Sequence, residues 1–390
     1  MLEKTLYSRA EDKLSEVWGS PVRLKFSSSI SESPHIQRME VLESPPGSPS
    51  TVILKHARAA GQEKFNPDRS SGQLLNEWAS LQFLARVMGD KSPAPKVLAG
   101  DSELGFILLE DFPGNESFLK VFMNEDAATA SSDLIRFAAL MGELHGRTFQ
   151  RPHQFNAIRE QLDIPPLPDT DYGRFFQRPI MSLENLGVVL HSAALADVQQ
   201  VVEVLGNPGE FDAFTHGDFV FHNCFRWQGH LYLVDFENAR FRHALWEGAY
   251  FRMLFPSMAL NDVYRIPETV WRKAENKYRE VFSHYCPAAP DDNRYGPALT
   301  AACAGWALNS CSGQLSLETA LTSDAPWVDY LRQRILARFD LFVDTTREFN
   351  SLLALGESFV SITADLRSKW SLNPESMPCY PAFQTSNPTL

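Results

Sequence analysis

The sequence predicts an α+β fold, with a small lobe built on an antiparallel sheet and a larger, mostly helical lobe following it. Three observations predict this. Strand-like stretches at 22–26, 36–43 and 50–57 follow closely on one another, and the middle one runs into Ser44-Pro45-Pro46-Gly47-Ser48-Pro49, a strong turn signal. The composition changes after residue 111, and helical periodicity dominates from there to about residue 367. A length of 390 residues suits two or three domains or lobes.

The elements read in order as follows. A short amphipathic helix over 8–18 precedes the three strands. A helix runs over 72–89, and two strands, 96–100 and 104–110, flank a turn at Asp101-Ser102. Helices are expected at 131–149, 178–206, 245–260, 267–285, 296–311 and 327–367, interrupted mainly by 212–236. This places the first lobe at 1–110 and the second at 111–370. The Pro- and Ser-rich residues 371–390 are expected to be a loose tail.

Apolar residues make up 44% and charged residues 22%, enough apolar material for a large core. With 36 Lys+Arg against 48 Asp+Glu the net charge is −12, and the pI is about 5.4. That balance argues against a nucleic-acid partner and leaves room for a basic pocket for one nucleotide. Five scattered cysteines without a CxxC pair suit a reduced, cytoplasmic protein. No charged n-region precedes an apolar stretch at the N-terminus, so no signal peptide is expected. The nearest approach to a membrane span, 297–308, is too short.

Residues 215–239 carry the chemistry. Cys224 to Trp227 and Leu231 to Val234 read as two strands joined by Gln228-Gly229-His230. Asn223 precedes the first strand and Asp235 follows the second, so both fall at one end of the hairpin, with Asp218 five residues before Asn223. An amide oxygen and a carboxylate are hard ligands suited to Mg²⁺, which is usually held by one or two protein groups plus substrate phosphates. The spacing from Asp218 to Asn223 matches the H-R-D-x-x-x-x-N template of kinases, and Asp235-Phe236-Glu237 stands where D-F-G would. Upstream, Lys55 lies on the strand Thr51 to Lys55. Glu77 lies in the apolar stripe Leu74, Leu81, Leu84, Met88 of the following helix, where a carboxylate is costly unless paired. Lys55 is the obvious partner. The run Phe106 to Phe112 ends a strand where the composition changes; Glu110 and Phe112 are candidates for backbone contact with a base, and a plain strand end explains the run almost as well. His145, closing the stripe Leu134, Phe137, Met141, Leu144, reads as a packed structural residue.

On Lys55, Glu77, Leu109-Glu110-Asp111, Leu140 to His145, His216-Gly217-Asp218, Asn223 and Asp235-Phe236-Glu237, the chain resembles the aminoglycoside phosphotransferase family over roughly residues 20 to 260. These are small-molecule kinases of the bilobal protein kinase-like fold. The resemblance implies ATP or GTP, Mg²⁺ and transfer of the γ-phosphoryl group to a hydroxyl of a small molecule: an amino alcohol, an aminoglycoside or a sugar-like acceptor. It implies nucleotide binding by the first lobe and acceptor binding by the second. Residue by residue, Asp218 would be the catalytic base and His216 would brace its loop by a hydrogen bond. Asn223 and Asp235 would hold the metal, Lys55 would contact the α/β-phosphates, and Glu77 would position Lys55. Glu110 and Phe112 would form the hinge that meets the adenine.

Departures from the family pattern are local. The nucleotide-covering loop should lie near Phe26 to Ser31 but has no Gly, which leaves Ser28 and Ser29 as phosphate-capping candidates. Val220 stands where many members have His, and Glu247 where the next helix usually carries Asp. Gly217 replaces the template's Arg, which favours a small-molecule substrate over a regulated protein kinase. Two other readings compete: a non-catalytic nucleotide-binding pseudokinase, and a hydrolase with a metal on His216, Asp218 and His222. For the acceptor, Asp163, Asp169 and Asp171 lie in an insert at about 150–180 and read either as an amine-attracting cluster or as a solvated loop. The aromatics Trp246, Tyr250, Phe251 and Trp306 read equally as pocket or core.

Overall fold

The computed structural model describes residues 2–30, 33–57, 70–168, 170–256, 264–313, 315–370 and 377–384. The chain is α+β, with an antiparallel sheet near the N-terminus and a mostly helical remainder. The elements run α1 (Leu2–Trp18), β1 (Arg23–Ile30), β2 (Ser33–Glu43), β3 (Thr51–His56), α2 (Ser70–Met88), β4 (Val97–Asp101), β5 (Phe106–Glu110) and β6 (Glu116–Ser117). Next come α3 (Leu119–Asn124), α4 (Ala127–Thr148), α5 (Pro152–Gln161), α6 (Tyr172–Asn185), α7 (Ser192–Gly206), β7 (Asp212–Thr215), β8 (Cys224–Trp227), β9 (His230–Leu233) and β10 (Arg240–His243). The remainder is α8 (Leu245–Gly248), α9 (Tyr250–Met253), α10 (Glu268–Ser283), α11 (Asp292–Asn309), α12 (Leu317–Thr322), α13 (Val328–Phe349) and α14 (Leu353–Trp370). Two compact units result. One comprises Met1–Phe118, Arg151–Pro168 and His216–Arg240; the other comprises Leu119–Gln150, Asp169–Thr215 and Phe241–Leu390.

The first unit is built on a five-stranded antiparallel sheet of order β1-β2-β3-β5-β4. Strand periodicity sends alternate residues to opposite faces. Val52 and Leu54 go to the face covered by α1, where they join Leu6, Ala10 and Leu14, spaced four apart on that helix. Arg9 of α1 pairs with buried Asp101 at 2.8 Å, and Glu11 accepts from the Leu24 N–H at 2.9 Å, fixing the helix against the sheet. With that face filled, Ile53 and Lys55 are left to the face on which α2 packs. Helix α1 starts earlier than the periodicity over 8–18 indicates, and β1 extends through Ser28 and Ser29.

The second unit is helical. Helix α4 packs along α10, and α13 packs against α11 and α14. Two of the long helices expected from periodicity are each broken in two. The stretch 178–206 divides at Gly187 (φ +82°), where the Gly187 and Val188 N–H groups bond back to Glu184 and Leu183 at 2.9 Å each, the closure of a Schellman C-terminus. The stretch 327–367 divides at Asn350, whose φ of +48° ends α13. The helix expected at 245–260 stops at Leu254 (φ +63°). The Met253 and Leu254 carbonyls accept from the buried Arg338 guanidinium at 2.9 and 3.1 Å. Residues 257–260 lie outside the described ones.

The tail expected to be loose is packed over 377–384. Arg265 and Cys379 form a parallel bridge, and Tyr380 meets Tyr264 at 5.0 Å and Phe122 at 5.4 Å. Met377, Tyr380 and Ala382 are apolar enough to bury, which Pro and Ser content alone does not reveal. Residues 371–376 and 385–390 lie outside the described ones. Trp246, Tyr250, Phe251 and Trp306 are all buried, and the Trp246 and Trp306 rings lie 4.6 Å apart, so core packing accounts for them. No helix among the described residues is long and apolar enough to cross a membrane.

The second unit is pinned by Arg252. Its guanidinium is 2% exposed, binds Glu275 through both carboxylate oxygens at 2.8 and 2.6 Å, and reaches Glu348 at 2.7 Å. Removing a buried partner strands a charge. Glu275→Ala should therefore cost about 3 kcal/mol. Glu348 is 34% exposed, and Glu348→Ala should cost about 1 kcal/mol. Urea unfolding of both variants checks the order; equal losses would contradict it.

Candidate active site

The hairpin β8–β9 is antiparallel, with Cys224 opposite Leu233 and Trp227 opposite His230. Its turn is two residues, Gln228 (φ +48°) and Gly229 (φ +79°), the pattern of a type I′ turn. His230 therefore belongs to β9 and not to the turn. At the open end the Val234 N–H donates to the Asn223 carbonyl at 3.0 Å, extending the pairing one step and setting Asn223 next to the residue preceding Asp235. Phe112 packs on this hairpin, 4.3 Å from the Tyr232 ring and 5.1 Å from Phe225.

His216 locks the loop that bears Asp218. The imidazole is fully buried. Its Nε2 donates to the Val234 carbonyl at 2.9 Å, which leaves Nδ1 to accept the Asp218 N–H at 3.3 Å. Both ring nitrogens are thus used inside the protein, and His216 has no lone pair for a metal. That removes the ligand set His216, Asp218, His222. Gly217 has φ +91°, and a Cβ there would lie 2.3 Å from the Asn238 carbonyl oxygen. Glycine is required by this close approach, a constraint separate from the absence of the template's Arg.

Asn223 Nδ2 donates to the Asp218 carboxylate at 2.9 Å and to the Asp218 carbonyl at 3.0 Å. Those two acceptors fix the amide, so its remaining hard oxygen is Oδ1. Asp235 adds a carboxylate that is 40% exposed. The donor set fits a small divalent cation that takes one or two protein oxygens.

Lys55 stands between two carboxylates. Its Nζ lies 2.6 Å from Glu77 and 2.6 Å from Asp235. Lys55 is 12% exposed and Glu77 only 2%. Burial pulls the Lys55 pKa down, but Glu77 and Asp235 outweigh it and hold the ammonium above the ordinary lysine range. Burial pushes the Glu77 carboxyl up, opposed by Lys55. Asp235 occupies the left-handed region (φ +71°, ψ +54°), a conformation costing about 1 kcal/mol or more for a residue with a side chain.

Two residues near the site have no signal in the kinase template. Asn76, 4% exposed, donates through Nδ2 to the carbonyls of Glu237 at 2.9 Å and Ala239 at 3.0 Å. Its Oδ1 accepts from Arg159 Nη1. Arg159 is 1% exposed, donates also to the Pro165 carbonyl, and lies 5.6 Å from the centre of the Phe155 ring. Burial, with Arg240 adding, lowers its pKa to about 10. Its place directly before Glu77 is the signal the sequence offers for Asn76; nothing in the sequence points to Arg159.

The other expected residues are placed as follows. Ser28 pairs with Arg38 and Ser29 with Gln37, beside register irregularities at the end of the β1–β2 hairpin. The Glu110 N–H is committed to the Lys96 carbonyl at 2.9 Å, and the Phe112 carbonyl accepts from Asn115. Asp111 is held by Arg38 through two bonds of 2.7 and 3.0 Å. His145 is fully buried, with Nε2 donating to Glu247 at 3.1 Å and Nδ1 accepting from the Tyr278 hydroxyl at 3.0 Å, a structural arrangement. Asp171 caps α6 by accepting the Arg174 N–H at 2.9 Å, and Asp163 is exposed in its turn. Asp169 lies outside the described residues.

Among solved structures, the chain is similar to a choline kinase from Cryptosporidium parvum Iowa II (12% identity, 93% of this chain and 99% of that chain covered, TM-score 0.48). It is similar to a choline/ethanolamine kinase family protein from Mesorhizobium loti (14%, 92% and 99%, TM-score 0.44). It is also similar to the macrolide 2'-phosphotransferase MphH from Brachybacterium faecium (12%, 84% and 98%, TM-score 0.42). No curated protein gives a significant match. The family model described as "Phosphotransferase enzyme family" matches residues 46–275, more than half of the chain and the whole span from Lys55 to Asp235, and the chain belongs to that family.

Proposed function

We propose that the protein is a small-molecule kinase that uses Mg²⁺ and ATP, or GTP, to phosphorylate a hydroxyl of an amino alcohol, aminoglycoside or sugar-like acceptor. The observation that carries this reading is the convergence on one unit of a Lys55 ammonium paired with Glu77, an Asp235 carboxylate beside it, and an Asp218 carboxylate fixed through Asn223 and His216. The net charge of −12 supports a small-molecule partner over nucleic acid, and a cytoplasmic location suits the same reading.

Lys55 contacts the α/β-phosphates, and Glu77 keeps it in place. Asn223 Oδ1 and Asp235 hold Mg²⁺, which when bound neutralises charge on the β- and γ-phosphates. Ser28 and Ser29 offer hydroxyls to the phosphates. At the hinge the Glu110 N–H and the Phe112 carbonyl are committed within the protein, so the contacts offered to the base are the Glu110 carbonyl and the Phe112 N–H in this reading. Asp218 accepts the acceptor's hydroxyl proton and aims its oxygen in line with the γ-phosphorus. His216 keeps the Asp218 loop in register.

Asp218→Asn separates this reading from a nucleotide-binding pseudokinase. Turnover should fall by roughly 10²-fold or more, the scale of a general base. ATP affinity should change by less than about tenfold, or 1.4 kcal/mol. Turnover near the wild-type level with normal ATP binding would overturn the role of Asp218. A wild type that binds ATP and turns over no acceptor in a broad hydroxyl screen would favour the pseudokinase.

Lys55 and Glu77 should act as a unit. Combining Lys55→Met with Glu77→Gln should cost little more turnover than the worse single change. Fully additive losses in the cycle would mean that the pair does not work jointly. Asp235→Ala should abolish most of the gain in ATP affinity that Mg²⁺ confers, and equal gains in variant and wild type would remove Asp235 from the metal site.

A further inference from the structure

Arg159 is among the largest fully buried side chains, and among the described residues the acceptors of its hydrogen bonds are all neutral: the Asn76 amide oxygen and the Pro165 carbonyl. A buried guanidinium without a carboxylate partner is expensive, and an apolar residue on α5 would pack against α2 at lower cost. The charge is explained by what it does to Asn76. Arginine only donates hydrogen bonds, so it demands the amide oxygen. The amide nitrogen is then turned towards the Glu237 and Ala239 carbonyls, which only accept. Without Arg159 the amide could rotate by half a turn and present oxygen to two oxygens.

Those two carbonyls belong to the short turn directly behind Asp235. Asp235 is itself in the left-handed region, and such a conformation persists only where its surroundings hold it. Asn76 also immediately precedes Glu77, so one turn of α2 grips the backbone after Asp235 with one side chain and Lys55 with the next. The backbone carbonyl of Asn76 is held in turn by the Ser80 hydroxyl at 2.6 Å.

We infer that Arg159 and Asn76 are positioning residues that set the Asp235 loop for metal–nucleotide binding. The inference rests on the assignment of Asp235 to the metal. Neither residue touches nucleotide or acceptor; their effect reaches the site through the backbone of residues 237–239.

The test is calorimetric titration of ADP, with and without Mg²⁺, into wild type, Asn76→Asp and Arg159→Met, with thermal unfolding of each protein alongside. Asn76→Asp keeps an acceptor for Arg159 but has no N–H for the two carbonyls. Arg159→Met removes the charge and frees the amide. In both variants the metal-free ADP affinity should stay within about threefold of wild type. The gain in affinity on adding Mg²⁺ should shrink about tenfold or more, the range for outer partners of metal ligands. A folded variant with an undiminished gain overturns the inference, whatever its melting temperature. So does an equal loss with and without Mg²⁺, which would mark a purely structural pair. Should Asn76→Asp fail to fold, Arg159→Met decides by the same criteria. A wild type with no Mg²⁺ gain overturns instead the metal reading beneath the inference, so the two failures are distinct.

Discussion

A lysine largely withdrawn from bulk water must be matched by negative charge, and in this protein two carboxylates supply it. Much of the first unit's architecture follows from that constraint. Helix α1 fills one face of the sheet with Leu6, Ala10 and Leu14, so strand alternation carries Lys55 to the opposite face. There α2 must present Glu77 at that height, and the chain after β9 must deliver Asp235 to the same ammonium at 2.6 Å. The left-handed conformation of Asp235 is the local cost of that delivery. Because the paired acids hold the Lys55 pKa above its ordinary range, the ammonium stays charged through neutral pH and beyond, and titration of Lys55 cannot switch the site near neutrality.

The same logic explains which parts of the site were legible in the sequence. A carboxylate in an apolar helical stripe is an anomaly that periodicity exposes, and it identifies the Glu77–Lys55 pair from the sequence alone. The hairpin was equally legible, since a period of two on either side of a turn fixes which residues share an end. The exact turn was not: Gln228 carries a positive φ that its residue type does not advertise, and His230 joins the strand. The long helices failed for a related reason. Apolar periodicity continues across Gly187 and Asn350, yet in each case a residue with positive φ ends the helix. Gly187 gave a visible hint, and Asn350 a fainter one.

What periodicity could not show was non-local hydrogen bonding. Asn76 and Arg159 lie 83 positions apart, and no spacing rule relates them. Composition misled at the C-terminus, where Pro and Ser suggested a loose tail while Met377 and Tyr380 supplied the apolar surface that docks it. In the sequence Gly217 stands out for the Arg it displaces, but its immediate cause is the Asn238 carbonyl that leaves no room for a Cβ.

Three largely buried cations, Arg252, Lys55 and Arg159, are handled differently, and the difference is instructive. Arg252 is enclosed by two acids and serves as a structural pin. Lys55 also has two acids, but one of them, Asp235, is 40% exposed and so accessible from solvent. Among the described residues, Arg159 has only neutral hydrogen-bond partners. An acid in place of Asn76 would neutralise Arg159, but it would bring no N–H to the Glu237 and Ala239 carbonyls. An amide serves both sides at once. The expense of the guanidinium is thereby the counterpart of holding the turn behind Asp235.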